Sequence, residues 1–95
     1  MFRIFVKFTC IDGMREKFVE RVRSEGILDA ILAEDGCHAY NYYFPEADKN
    51  ELLLIEYWET QKHQQVHLDQ PHMEKLRSFK NEYITNTELG EFELK

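Results

Sequence analysis

Residues 51–59, ELLLIEYWE, limit what this chain can fold into more than any other stretch. Side chains alternate across a strand, so Leu53, Ile55 and Tyr57 face one way and Leu52, Leu54, Glu56 and Trp58 face the other. Both faces are largely apolar, and such a strand needs cover on both sides. Cover is scarce in 95 residues, because a chain of this size buries only about 60–65% of the surface its unfolded form exposes. Helices can shield one face. The other predicts a sheet from a second copy, hence a homodimer. Seven Phe and five Tyr add to the rings that need shelter.

The flanking segments supply a partner for each end of that strand. Residues 2–10, FRIFVKFTC, alternate as a first strand, with Phe2, Ile4, Val6 and Phe8 on one face. Asp12 is positioned to cap a helix over residues 13–34. Its apolar stripe runs through Met14, Phe18, Val22, Ile27, Leu28, Ile31 and Leu32. That stripe slips near Ser24-Glu25-Gly26, which predicts a kink, since glycine costs about 1 kcal/mol inside a helix. Glu34-Asp35-Gly36 is a stop signal, with Gly36 suited to a left-handed cap. Residues 37–45 predict a second strand, with His38, Tyr40, Tyr42 and Phe44 on one face and Cys37, Ala39, Asn41 and Tyr43 on the other. Pro45 ends it, and the short polar turn 46–50 predicts a hairpin into the 51–59 strand.

Thr60 is an N-cap for a helix over 61–69, and Pro71 suits the first position of another. His72, Leu76, Phe79 and Tyr83 fall on one face of that second helix, with Met73 beside them. Phe92 and Leu94 alternate against Glu91, Glu93 and Lys95, predicting a last strand over 88–94. The order β-α-β-β-α-β is an α+β, ferredoxin-like pattern, an antiparallel sheet with helices on one face. It reads as a single domain over residues 1–95.

Net charge is −6, and no basic stripe marks a nucleic-acid partner. No apolar run reaches the ~20 residues of a membrane span, and the alternating residues 1–8 do not read as a signal peptide. A cytoplasmic protein is expected, with Cys10 and Cys37 as free thiols.

Chemistry-bearing residues gather between positions 56 and 72. His63 and His67 stack four apart on a helix, a spacing that can hold a metal with a third ligand from His72, Asp69 or Glu56. Gln64, however, stands where a zinc-protease HExxH carries glutamate, and no metal is expected; His63 and Gln64 read as an exposed polar face. His72 lies on the buried stripe, and His67 about one turn before the Pro71 break, so the two could flank an opening. Glu56 shares its face with Trp58. Under the helices its pKa would rise, suiting it to proton transfer. The sequence has no glycine-rich phosphate loop and no dinucleotide fingerprint.

Tyr57-Trp58-Glu59, then His67, then Gln70-Pro71-His72-Met73, together with Glu34 to Cys37, resemble the signature of the antibiotic biosynthesis monooxygenase (ABM) family. The resemblance spans nearly the whole chain. It implies a dimeric α+β barrel with a pocket between each sheet and its helices. Some members oxidise quinol or phenolic rings with molecular oxygen and without a metal or organic cofactor. By that resemblance His67, His72 and Glu56 are the catalytic candidates, and Trp58, Asn41, Tyr40 and Phe79 the substrate-binding ones. The implied partners are a small aromatic substrate, oxygen and a second subunit. Alternatives are a non-catalytic dimeric module for small aromatics or a stress response, an isomerase of a small phosphorylated ketone, or a haem-degrading relative. The first strand offers Phe8 and Thr9 where haem-degrading relatives use asparagine, and Arg77 is the basic residue available for a phosphate.

Overall fold

The computed structural model describes all residues, Met1–Lys95. The elements are β1 (Phe2–Cys10), α1 (Arg15–Ser24), α2 (Ile27–Leu32), β2 (Cys37–Tyr43), β3 (Glu51–Trp58), α3 (Gln61–Leu68), α4 (Pro71–Lys80) and β4 (Ile84–Glu91). The four strands form one antiparallel sheet in the order β2-β3-β1-β4. This is the α+β, ferredoxin-like arrangement anticipated above. No helix is long and apolar enough to cross a membrane.

The core lies between the sheet and the helices. The inward residues of β1 and β3 (Ile4, Val6, Phe8, Leu52, Leu54 and Trp58) are all buried, as are Phe18, Val22, Ile27 and Ile31 of α1 and α2. Phe18 is the hub of the rings, with centroids 6.0 Å from Phe8, 6.3 Å from Phe79 and 5.8 Å from Tyr83. Such tilted pairs add to the apolar burial itself. The opposite sheet face carries Phe5, Leu53, Ile55 and Tyr57, which no helix covers and which remain half-buried.

Local signals set the breaks. The slip in the helical stripe is a full interruption: Gly26 has φ +76°, in the left-handed region that favours glycine, and separates α1 from α2. Gly36, at φ +79°, turns the chain into β2, and a Cβ there would strike the His63 ring. The Thr60 hydroxyl accepts the His63 amide at 3.3 Å, capping α3. Pro71 opens α4.

Four expectations need correction. Asp12 does not cap α1. The turn at 12–13 puts Met14 at the cap, and Asp12 pairs instead with Lys49 at 3.3 Å. The last strand runs over Ile84–Glu91 and not over 88–94. Backbone pairing along the open edge of β1 decides its limits, from Cys10↔Ile84 to Ile4↔Glu91, and an edge strand can hold polar residues. Phe92 lies beyond it, with its ring 6.5 Å from Phe5 and 6.2 Å from Tyr57 on the outer face. His38 does not share a face with Tyr40. The register shifts between Cys37 and Ala39, so Cys37 opposes Trp58 and Tyr40 opposes Glu56. One extra residue in a strand flips side-chain parity. Lastly, Gln64 is buried, not exposed.

Candidate active site

Glu34 joins residues that are far apart in sequence. It sits in the turn after α2, and its Oε2 lies 2.7 Å from His67 Nδ1 and 2.8 Å from His72 Nε2. A carboxylate oxygen can only accept, so each of those ring nitrogens carries its hydrogen and donates it. In this neutral tautomer the other His67 nitrogen, Nε2, is bare. It lies 4.0 Å from Glu56 Oε1. Glu56 Oε1 in turn accepts the Trp58 indole N–H at 2.9 Å. Trp58 also packs its ring 4.7 Å from that of His67, and Tyr40 approaches the imidazole edge at 5.8 Å.

The elements explain this convergence. Strand parity and a two-residue step place Glu56 and Trp58 side by side under the helices. The Pro71 break lets α3 and α4 deliver His67 and His72 to the same carboxylate from different helices. The Gly36 turn holds Glu34 against them.

A half-open cavity of about 200 Å³ lies between sheet and helices, its walls mostly apolar. Val6, Phe8 and Leu54 form its floor, Met73 and Leu76 line it from α4, and Tyr40, Glu56, Gln64 and His67 bring polar groups to it. Of the residues anticipated for the site, Glu56, His67 and Tyr40 therefore reach the cavity. Trp58 and His72 do not line it. Trp58 backs Glu56 and His67, and His72 holds Glu34. Phe79 is 2% exposed and packs in the core on Phe18 and Tyr83. Asn41 opposes Ile55 and is exposed on the other sheet face. His63 stays apart, against Thr60 and Asp35. Glu34 and Gln64 were missed as site residues. The Glu34–Cys37 run was legible only as a stop signal and as part of the family signature.

Burial tunes the two inner groups in opposite senses. Glu56 is 4% exposed and His67 1%. Desolvation pushes the Glu56 carboxyl up to about 7; the Trp58 N–H pulls against this, and the Glu34 charge adds to it. Desolvation lowers the His67 pKa, and the hydrogen bond to Glu34 partly offsets it. Burial thus favours the uncharged form of both groups, which face each other at 4.0 Å. Glu34, His67 and His72 also offer three ligand atoms within 4.8 Å of one another. They are the residues that could hold a divalent ion if both shared hydrogens were displaced.

A family model described as "Antibiotic biosynthesis monooxygenase" matches residues 1–78. The chain belongs to the ABM family. The matched span includes Glu34, Glu56, Trp58, His67 and His72. An Escherichia coli K12 protein named "Probable quinol monooxygenase YgiN" is 33% identical to this ABM protein over 55 residues, covering 50% of this chain and 53% of that one. The chain spans about half the length of the curated relatives it matches. Among solved structures, PA3566 from Pseudomonas aeruginosa superposes with a TM-score of 0.84 at 17% identity, covering 99% of this chain and 93% of that one. A conserved protein from Methanosarcina mazei Go1 gives 0.86 at 20% identity, covering 99% and 92%. At those identities the likeness speaks for the fold.

The Glu56 shift has a consequence for stability. Unfolded, the carboxyl ionises near 4.5; folded, near 7. Below the lower value both states hold the proton. As pH rises towards the upper value the unfolded state is increasingly favoured, and above it the penalty is complete. Glu56→Gln keeps the acceptor for Trp58 and cannot ionise. Between pH 4.5 and about 8, wild type is expected to lose on the order of 2–3 kcal/mol relative to this variant. Urea unfolding across that range measures the difference, and parallel profiles would show that Glu56 titrates as an ordinary carboxyl.

Proposed function

We propose that this ABM protein is a monooxygenase that oxidises a small quinol or related phenol with molecular oxygen, without a metal or organic cofactor. The observation that carries this reading is the apolar cavity with the Glu56–His67 pair in its inner wall. Oxygen accepts electrons readily from an electron-rich phenolate and poorly from a neutral phenol. The protein's task is therefore to take a proton in a place from which water is largely excluded. His67 Nε2, left bare by the Glu34 bond, takes the phenolic proton. Glu56, whose carboxyl titrates near 7 and so is available in its protonated form, returns a proton to the departing oxygen. The balance needs no other reductant. A quinol and one O₂ give a hydroxylated quinone and one water; one oxygen atom joins a ring carbon, and the ring supplies all the electrons. The relative named as a probable quinol monooxygenase favours the same substrate class.

Oxygen uptake with a panel of quinols and phenols tests this. Wild type is expected to consume one O₂ per substrate and release the hydroxylated quinone, and His67→Ala to be slower by about a hundredfold or more. Equal rates in the two proteins would remove His67 from the chemistry. Saturable protection against unfolding by the same compounds, with no oxygen consumed, would instead favour the binding module.

We further infer that the working unit is a homodimer formed through the outer sheet face. Phe5, Leu53, Ile55 and Tyr57 give that face an apolar centre, and Phe92 folds over its edge. Sedimentation equilibrium is expected to return twice the 11.5 kDa chain mass. A folded species of single-chain mass at micromolar concentration would contradict it.

A further inference from the structure

Two cations on the cavity wall have no acidic partner. Arg77 and Lys80 are three residues apart on α4, so they lie on one face of the helix, and both line the cavity. Arg77 donates to the Leu68 carbonyl at 3.1 Å. The Lys80 ammonium lies 5.3 Å from the centre of the Phe8 ring, another cavity residue. Lys80 is half-buried, and desolvation alone pushes its pKa down, with no carboxylate opposing it. Five other cations of this chain of net charge −6 are neutralised locally. Lys7, Arg15, Arg21, Lys49 and Lys75 each pair with a carboxylate. A partly desolvated ammonium with no counter-charge is unfavourable, and an anion brought by a ligand would relieve it.

The cavity fixes which way such a ligand lies. Glu56 and His67 line it from β3 and α3, while Arg77 and Lys80 line it from the C-terminal half of α4. An anionic group placed against Glu56 would approach the Glu34 carboxylate behind His67. Placed against α4 it meets two cations. The volume of about 200 Å³ admits one ring with small substituents, since an apolar cavity of ~150 Å³ holds a benzene. Rings of Phe8, Phe18, Tyr40 and Tyr42 line the walls, which suits an aromatic body between the two polar ends. Lys80 also lies beyond the residues that the family model matches.

We propose that the cavity selects a single-ring phenol bearing a carboxylate, held with its hydroxyl toward His67 and Glu56 and its carboxylate on Lys80 and Arg77. The hydroxyl end rests on the monooxygenase reading; the carboxylate preference stands on the cavity and the two cations. Calorimetric titration of the full chain compares dihydroxybenzoate with hydroquinone, which lacks the carboxylate, and with dihydroxyacetone phosphate. The acid is expected to bind at least about tenfold more tightly than hydroquinone. In Lys80→Met that ratio is expected to fall to about twofold or less, with hydroquinone affinity unchanged, and Lys80→Arg to keep most of it. Equal affinities in wild type, no binding of the acid, an unchanged ratio in Lys80→Met, or tighter binding of the phosphorylated ketone would each overturn the proposal. Oxygen uptake is scored separately. Lys80-dependent binding of the acid without oxygen consumption would uphold this preference and end the monooxygenase reading. Oxygen consumption with hydroquinone and no preference for the acid would do the reverse.

Discussion

The Glu34 carboxylate accepts two imidazole N–H groups at once, and the site's remaining geometry follows from that. Its two bonds, 2.7 Å to His67 and 2.8 Å to His72, pin α3 and α4 to the turn between α2 and β2. They also decide which nitrogen of His67 faces Glu56. A histidine this deeply buried would otherwise be free to turn its donor inward, where it could bond Glu56 and lose its basic lone pair. Low local dielectric strengthens such a bond and makes its loss costly, so the network is both a structural tie and a chemical setting.

The sheet supplies what that network needs, which is a dry floor. β1 and β3 are the inner strands, and their inward residues include Ile4, Val6, Leu54 and Trp58, all buried. Glu56 enters this surface with an indole N–H on one oxygen and with desolvation favouring its protonated form. Trp58 thus does two things without reaching the cavity: it satisfies Glu56 and it fixes the plane of His67. The helix break at Pro71 completes the arrangement, because one continuous helix would not bring both histidines to a single oxygen.

Much of the frame was legible from residue order. The parity of ELLLIEYWE placed Glu56 beside Trp58, and Thr60, Gly26 and Pro71 marked boundaries through their own backbone chemistry. Other features depend on contacts that local patterns do not carry. His38 and Cys37 were assigned to the wrong faces because a bulge adds one residue and reverses parity. β4 was placed too late because an edge strand needs pairing more than it needs alternation. Glu34 looked like part of a stop signal, since its partners lie 33 and 38 residues away. Asn41, carried over from a resemblance, sits on the face that the sequence's own alternation gave it, away from the cavity. Lys80 bears no local mark, and only its partial burial on the cavity wall without a carboxylate partner distinguishes it from the other lysines, which are exposed.

Glu34 holds neutral His67 with its hydrogen on Nδ1, leaving Nε2 bare toward Glu56. Nitrogen-15 NMR of the imidazole rings measures this directly, because protonated and bare ring nitrogens resonate far apart. A protonated Nδ1 and a bare Nε2 are expected for His67 at neutral pH, with the preference lost in Glu34→Ala. A hydrogen on Nε2, or a doubly protonated ring at neutral pH, would contradict it.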